Sequence, residues 1–95
     1  MNKSIWRSIY VTKCFKNPYL YKVGFLEDQS KFIPDKFTLI YARRTKNPEL
    51  VKQILKETQY PYFINDDKNN ISFEYKNVNI LTDELDIIVN YLNKY

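Results

Sequence analysis

The chain has 95 residues, enough for one domain with a single hydrophobic core. Its only cysteine, Cys14, excludes an internal disulfide, and the absence of histidine excludes the common zinc-ligand patterns, so we expect a reducing intracellular compartment. A net charge of +4 favours a polyanionic partner, and no stretch approaches the ~18 apolar residues of a membrane span.

The first predicted element is a β-hairpin. Residues 5–13 and 19–25 each alternate apolar and polar side chains, the period-two pattern of half-buried strands, and a proline-containing turn separates them. Gly24, the only glycine, lies where the second strand ends, a position that favours a left-handed backbone or a close approach of another group. Residues 37–43 alternate in the same way and are expected to pair with this hairpin.

A helix is predicted to begin at Asn47-Pro48-Glu49 and to end before Tyr60. Asn47 is a favourable N-cap, Pro48 suits the first helical position, and Glu49 places a negative charge near the positive end of the helix dipole. Apolar residues recur on one face, which is expected to pack on the sheet: Leu50, Val51, Ile54 and Leu55.

Two further patterns complete the chain. Residues 62–65 and 71–75 predict a second hairpin, and the polar cluster that begins at Asp66 predicts its turn rather than a cation site. A C-terminal helix is predicted to open with Thr82 as its cap. Together these elements predict one α+β domain over residues 1–95: a three-stranded antiparallel sheet with a packed helix, a small second hairpin and a C-terminal helix. The apolar stripe of the last helix is expected in the core: Leu85, Ile88, Val89 and Leu92.

Both strands of the first hairpin carry a short tyrosine motif. Residues 8–10 read Ser-Ile-Tyr, and residues 21–24 read Tyr-Lys-Val-Gly. These segments resemble the start of the GIY-YIG nuclease family, including its short members from phages and large DNA viruses, and residues 72–76 resemble the segment before the family's last helix. The resemblance implies a GIY-YIG-like fold from a large DNA virus, located in the cytoplasm or nucleus of an infected cell or in the virion.

Active members of this family cut a phosphodiester with two motif tyrosines, an arginine and a metal-holding glutamate. By the resemblance, Tyr10 and Tyr21 match the tyrosines, whereas Lys31 and Lys52 stand at the arginine and glutamate positions. A lysine cannot hold magnesium, and it lacks the planar fork that clamps a phosphate. The resemblance therefore implies an inactive relative with no metal and no cofactor; Glu49 is the fallback ligand, and Mg²⁺ is expected only if the domain is an active nuclease.

The preferred hypothesis is a catalytically degenerate GIY-YIG-like module that binds DNA or RNA. Arginine is rare in this chain, so the pair Arg43-Arg44 before the helix is the strongest phosphate-binding signal. Two alternatives stay open: a viral protein-interaction or virion structural protein on the same scaffold, and an active metal-dependent endonuclease that uses Glu49 or Glu57. Cys14 is expected to be neither a nucleophile nor a metal ligand. The nucleic-acid-binding residues are predicted to converge around one concavity: Tyr10, Tyr21, Lys22, Lys31, Arg43, Arg44 and Lys46.

Overall fold

The computed structural model describes residues 7–26, 37–66 and 70–94. Lys31 and the first two residues of the first predicted strand lie outside these ranges. The described elements form an α+β domain, which confirms the predicted fold class. In chain order they are β1 (Arg7–Cys14), β2 (Leu20–Leu26), β3 (Phe37–Thr45), α1 (Pro48–Thr58), a turn of 3-10 helix (Tyr60–Tyr62), β4 (Phe63–Asp66), β5 (Asn70–Glu74) and α2 (Asn79–Lys94).

The described strands form one antiparallel sheet of five, in the order β3-β1-β2-β5-β4. As predicted, β3 pairs with the first hairpin, on the β1 side. The predicted second hairpin is present as β4 and β5, but the predicted count of three strands in the sheet was wrong, because β5 pairs with β2 through partners such as Val23 and Ile71. This pairing gives the backbone groups on the free edge of β2 their hydrogen-bond partners and extends the apolar face of the sheet.

The predicted start of α1 is confirmed. The side-chain oxygen of Asn47 accepts a hydrogen bond from the Leu50 N–H at 3.1 Å, and Pro48 occupies the first turn. The predicted start of α2 at Thr82 was wrong, since this helix begins a turn earlier at Asn79. There the Asn77 side chain accepts a hydrogen bond from the Asn79 N–H at 3.0 Å, so an asparagine, rather than the threonine, supplies the side-chain acceptor at the helix start.

The core lies between the two helices and one face of the sheet, which we call the helix face. Tyr75, just after β5, is buried there, and its hydroxyl donates a hydrogen bond to Gln59 Oε1 at 2.7 Å. Its ring stacks on Tyr62 with the centroids 4.6 Å apart. Neither described helix is long and apolar enough to cross a membrane. The buried core residues are Ile9, Val11, Tyr21, Val23, Val51, Leu55, Ile71, Phe73, Tyr75, Leu81, Leu85, Ile88 and Val89.

Candidate nucleic-acid interface

The two motif tyrosines lie on opposite faces of the sheet. Tyr10 is directly across from Gly24, whereas Tyr21 is directly across from Lys13. Because side chains alternate along a strand, this register puts Tyr21 on the helix face and Tyr10 on the other side, which we call the far face. Both are buried, with 3% of Tyr10 and 4% of Tyr21 exposed. The structure therefore does not bring the two tyrosines together, and neither presents its ring to solvent.

The ring of Tyr10 lies directly over Gly24. A Cβ atom at Gly24 would overlap Tyr10 Cζ, so a glycine is required for the ring to approach the backbone this closely. The Tyr10 hydroxyl donates a hydrogen bond to Asn70 Oδ1 at 3.4 Å, and burial raises the pKa of this hydroxyl above its ordinary value. The phenol therefore stays protonated at neutral pH, which suits it as a hydrogen-bond donor and not as a base.

Lys22 shares the far face with Tyr10. Its Nζ atom lies 5.1 Å from the centroid of the Phe37 ring, in a cation–π contact that links β2 to β3 across β1. The side chain is half-buried in this arrangement. Lys22 and Tyr21 are both predicted nucleic-acid-binding residues on β2, but their side chains lie on opposite faces of the sheet.

Arg43 and Arg44 also point to opposite faces. Arg43 pairs with Ile9 in the sheet and so lies on the helix face, where its Nη1 atom is 3.2 Å from Asp86 Oδ1 on α2. The Tyr41 hydroxyl donates to the same oxygen at 2.7 Å. Burial and this hydrogen bond raise the pKa of Tyr41 well above its ordinary range, so the phenol remains a donor. The Arg43 side chain therefore joins β3 to α2 through its ion pair with Asp86.

Arg44 and Lys46 lie at the junction between β3 and α1, which the end of α2 holds in place. The Asn93 side chain donates to the Arg44 carbonyl at 3.0 Å and accepts from the Lys46 N–H at 3.4 Å. Lys94, the next residue of α2, is exposed, as is Arg44. We call Arg44, Lys46 and Lys94 the basic junction. The sequence reasoning missed Asn93 and Lys94, because only the tertiary fold brings the end of α2 to this place.

Lys52, at the position of the family's glutamate, takes part in an ion-pair cluster. Its Nζ atom is 3.6 Å from Asp66 Oδ1, and Lys56 Nζ is 2.6 Å from Asp66 Oδ2. The hydrogen bond from Lys56, with the charge of Lys52 in addition, lowers the pKa of Asp66. Asp66, predicted as a turn residue, ends β4 and is joined by these lysines to α1.

Glu49 and Glu57 are exposed on α1 beside this cluster and line a shallow groove with it. Within residues 7–26, 37–66 and 70–94, no three Asp, Glu or Cys side chains are grouped so that they could hold a metal ion. Cys14 is a free, half-buried thiol at the end of β1. The described acids thus carry charge at the surface without forming an evident metal centre.

The predicted residues therefore divide into two groups. Tyr10, Lys22 and Arg44 share the far face, while Tyr21 and Arg43 are on the helix face.

A scan against models of protein families finds no match, and searches of curated proteins and of solved structures find no similar chain.

Proposed function

We propose that this protein is a nucleic-acid-binding module that contacts phosphate groups through the basic junction. The observation that carries the proposal is that Asn93 hydrogen-bonds to the backbone of both Arg44 and Lys46, which brings the chain positions of Arg44, Lys46 and Lys94 to one end of the sheet. A fixed backbone lowers the conformational entropy lost on binding. The net charge of +4 gives the whole chain a favourable, salt-dependent attraction to polyanions.

The local geometry of the junction suits a phosphate. Arg44 is exposed at this junction, and an arginine guanidinium is a planar fork of N–H donors that matches two phosphate oxygens at once. The first turn of α1 follows within a few residues, and the partial positive charge of the helix dipole there also favours an anion. The nearest acid in the sequence is Glu49, which is exposed and so is partly screened by solvent.

We also propose that the domain is a catalytically degenerate GIY-YIG-like module. Tyr10 and Tyr21 lie on opposite faces, so one phosphodiester cannot contact both hydroxyls in this conformation. Lys52 forms an ion pair with Asp66 where the resemblance would have a metal-holding glutamate. These positions support binding of nucleic acid without cleavage. From the resemblance, we propose a large DNA virus as the source, with the protein located in the infected cell or in the virion.

A matched pair of neighbouring arginines tests the proposal. Arg44→Ala should weaken binding to a 20-base-pair DNA duplex by about tenfold, the effect of losing one charge-assisted contact. Arg43→Ala removes the same charge from the helix face, where Arg43 pairs with Asp86, and should change the affinity by less than about twofold because this face is opposite to Arg44. Fluorescence anisotropy with a labelled duplex measures both, after circular dichroism has shown that both variants are folded.

Equal losses in the two variants would mean that only net charge matters, and no loss in Arg44→Ala would contradict the junction as the binding site. Supercoiled plasmid incubated with the same samples and Mg²⁺ should remain uncut. Cleavage that Glu49→Gln abolishes would overturn the degenerate assignment and favour an active nuclease.

A further inference from the structure

The turn of the first hairpin carries two exposed aromatic rings that lie outside the core. Phe15 is 80% exposed and Tyr19 is 50% exposed. Single exposed apolar residues are ordinary, but two rings on one short turn form a local apolar surface. We call Phe15, Tyr19 and three exposed lysines of this region, Lys13, Lys16 and Lys76, the aromatic tip.

The turn that carries these rings is held in shape by its own hydrogen bonds. The Asn17 side chain accepts from the Tyr19 N–H at 3.0 Å, and the Asn17 carbonyl accepts from the Leu20 N–H at 3.1 Å. Pro18 restricts the backbone between them. The Tyr19 carbonyl also accepts from the Tyr75 N–H at 2.9 Å, which ties the turn to the end of β5. The rings are thus presented on a preorganised turn.

Three exposed lysines accompany the rings. Lys13 is two residues before Phe15, and Lys16 is the residue after it. Lys76 follows Tyr75, whose N–H donates to the Tyr19 carbonyl. Within the described parts of the chain, no ion pair joins any of these lysines to a carboxylate. Glu74 is the one acid that lines the adjacent groove. Among the described residues, the three lysines outnumber Glu74 in the groove lining, which favours an anion at this end of the sheet.

Tyr19 also forms one wall of a groove of about 540 Å³. Most of the other lining residues come from the 3-10 turn, β4 and the start of α2 and are apolar or aromatic, while Glu74 and Lys76 add charge. The groove is open to solvent and continues from the exposed ring of Tyr19.

We propose that the aromatic tip binds unpaired nucleotides of single-stranded nucleic acid, with bases stacked on Phe15 and Tyr19 and phosphates near Lys13, Lys16 and Lys76. Rings interleaved with lysines match a strand whose bases and phosphates alternate. An apolar peptide would use the rings and the groove but would leave the three lysines without a partner. The bases of a duplex are stacked and paired, so they offer no free faces to such rings.

This inference rests on the proposed nucleic-acid binding and adds the substrate class and a second contact. The basic junction is at the Ser8 end of β1, where Ser8 pairs with Arg44, and the tip is at the Cys14 end. Six residues of extended strand separate the two ends by roughly 20 Å. A nucleic acid with a duplex part and a single-stranded part would contact both ends at once.

Fluorescence anisotropy with two labelled probes, a 20-nucleotide oligo-dT and a 20-base-pair duplex, tests the inference. In the full chain, Phe15→Ala with Tyr19→Ala should weaken oligo-dT binding by about tenfold or more, the effect of losing stacked bases, and should change duplex affinity by less than about twofold. Arg44→Ala should weaken binding to both probes. Tyr19→Trp with Phe15→Trp keeps stacking surfaces and should retain oligo-dT affinity.

The outcomes separate this inference from the function on which it rests. If wild type binds both probes and the Phe15→Ala, Tyr19→Ala variant binds oligo-dT as wild type does, the tip proposal is overturned while the basic junction stands. If wild type binds the duplex alone, the tip proposal is again overturned, and the groove becomes a candidate surface for a protein partner. If wild type binds neither probe at 50 mM salt, both proposals fall. Both substituted side chains are exposed, so unchanged thermal unfolding serves as the folding control.

Discussion

The middle of the sheet and its two ends differ in what their side chains do. In the middle, the residues that resemble a nuclease motif are buried: Tyr10 covers Gly24 on the far face, and Tyr21 packs in the core. At the ends, Arg44 and Phe15 are exposed together with lysines. The motif-like tyrosines of this domain therefore contribute to packing, whereas the charged and aromatic side chains that a partner could contact lie outside the motif.

The largest expected effect comes from the middle. Tyr21→Ala should lower the free energy of unfolding by roughly 3–5 kcal/mol, because it leaves a cavity beside the Tyr75 ring, whose centroid is 6.2 Å away. Urea denaturation followed by circular dichroism measures the loss. Tyr21→Phe keeps the ring and should change stability by less than about 1.5 kcal/mol. If Tyr21→Ala were as stable as wild type, the buried position of Tyr21 would be contradicted.

Alkaline pH should destabilise the fold through the buried phenols. Burial is the main cause that raises the pKa of Tyr10, Tyr41 and Tyr75 in the folded state. The unfolded chain loses these protons above about pH 10, so it binds fewer protons than the folded chain, and stability falls as pH rises further. The stability contribution of each phenol is fully present at pH 8 and is lost above about pH 10, with a slope of up to about 1.4 kcal/mol per pH unit.

Urea denaturation at pH 8, 10 and 11 measures this slope. Tyr75→Phe keeps the ring and removes one titrating group, so it should flatten the decline between pH 10 and 11. A variant that loses stability as steeply as wild type would contradict the protonated, buried state of Tyr75.

A smaller effect is expected for the contact between Tyr10 and Gly24. Gly24→Ala places a methyl group where the Tyr10 ring lies, and overpacking of this kind destabilises by roughly 1–3 kcal/mol. On a Tyr10→Ala background the ring is gone, so the same substitution should have little further effect. The double-mutant cycle, measured by urea denaturation, should therefore show strong coupling. Additive effects would mean that the ring does not occupy that space.

The sequence predicted the parts of this fold that local rules decide. Asn47 and Pro48 mark the start of α1 because a cap acts within one helical turn. The pairing of β5 with β2 joins distant segments, for example Val23 with Ile71, and has no local signal. The early start of α2 at Asn79 could have been found from Asn77, a good turn and cap residue.

The candidate site was predictable in part for the same reason. Strand alternation alone separates Arg43 from Arg44, so their opposite faces could have been read from the sequence. The faces of Tyr10 and Tyr21 depend on the hairpin register, which is set by turn geometry that the residue types do not specify. Asn93 contacts Arg44 from the far end of the chain, and only the tertiary structure reveals it.

The salt dependence of duplex DNA binding by the wild-type protein tests the central claim most directly. If Arg44, Lys46 and Lys94 contact phosphates, a plot of log association constant against log salt concentration should have a slope of about −2.7, since each contact contributes about −0.9. Anisotropy titrations between 50 and 200 mM salt give this slope. A steep negative slope that becomes shallower by about one unit in Arg44→Ala is the result predicted here. Absence of binding at 50 mM salt, or a slope near zero, would contradict it.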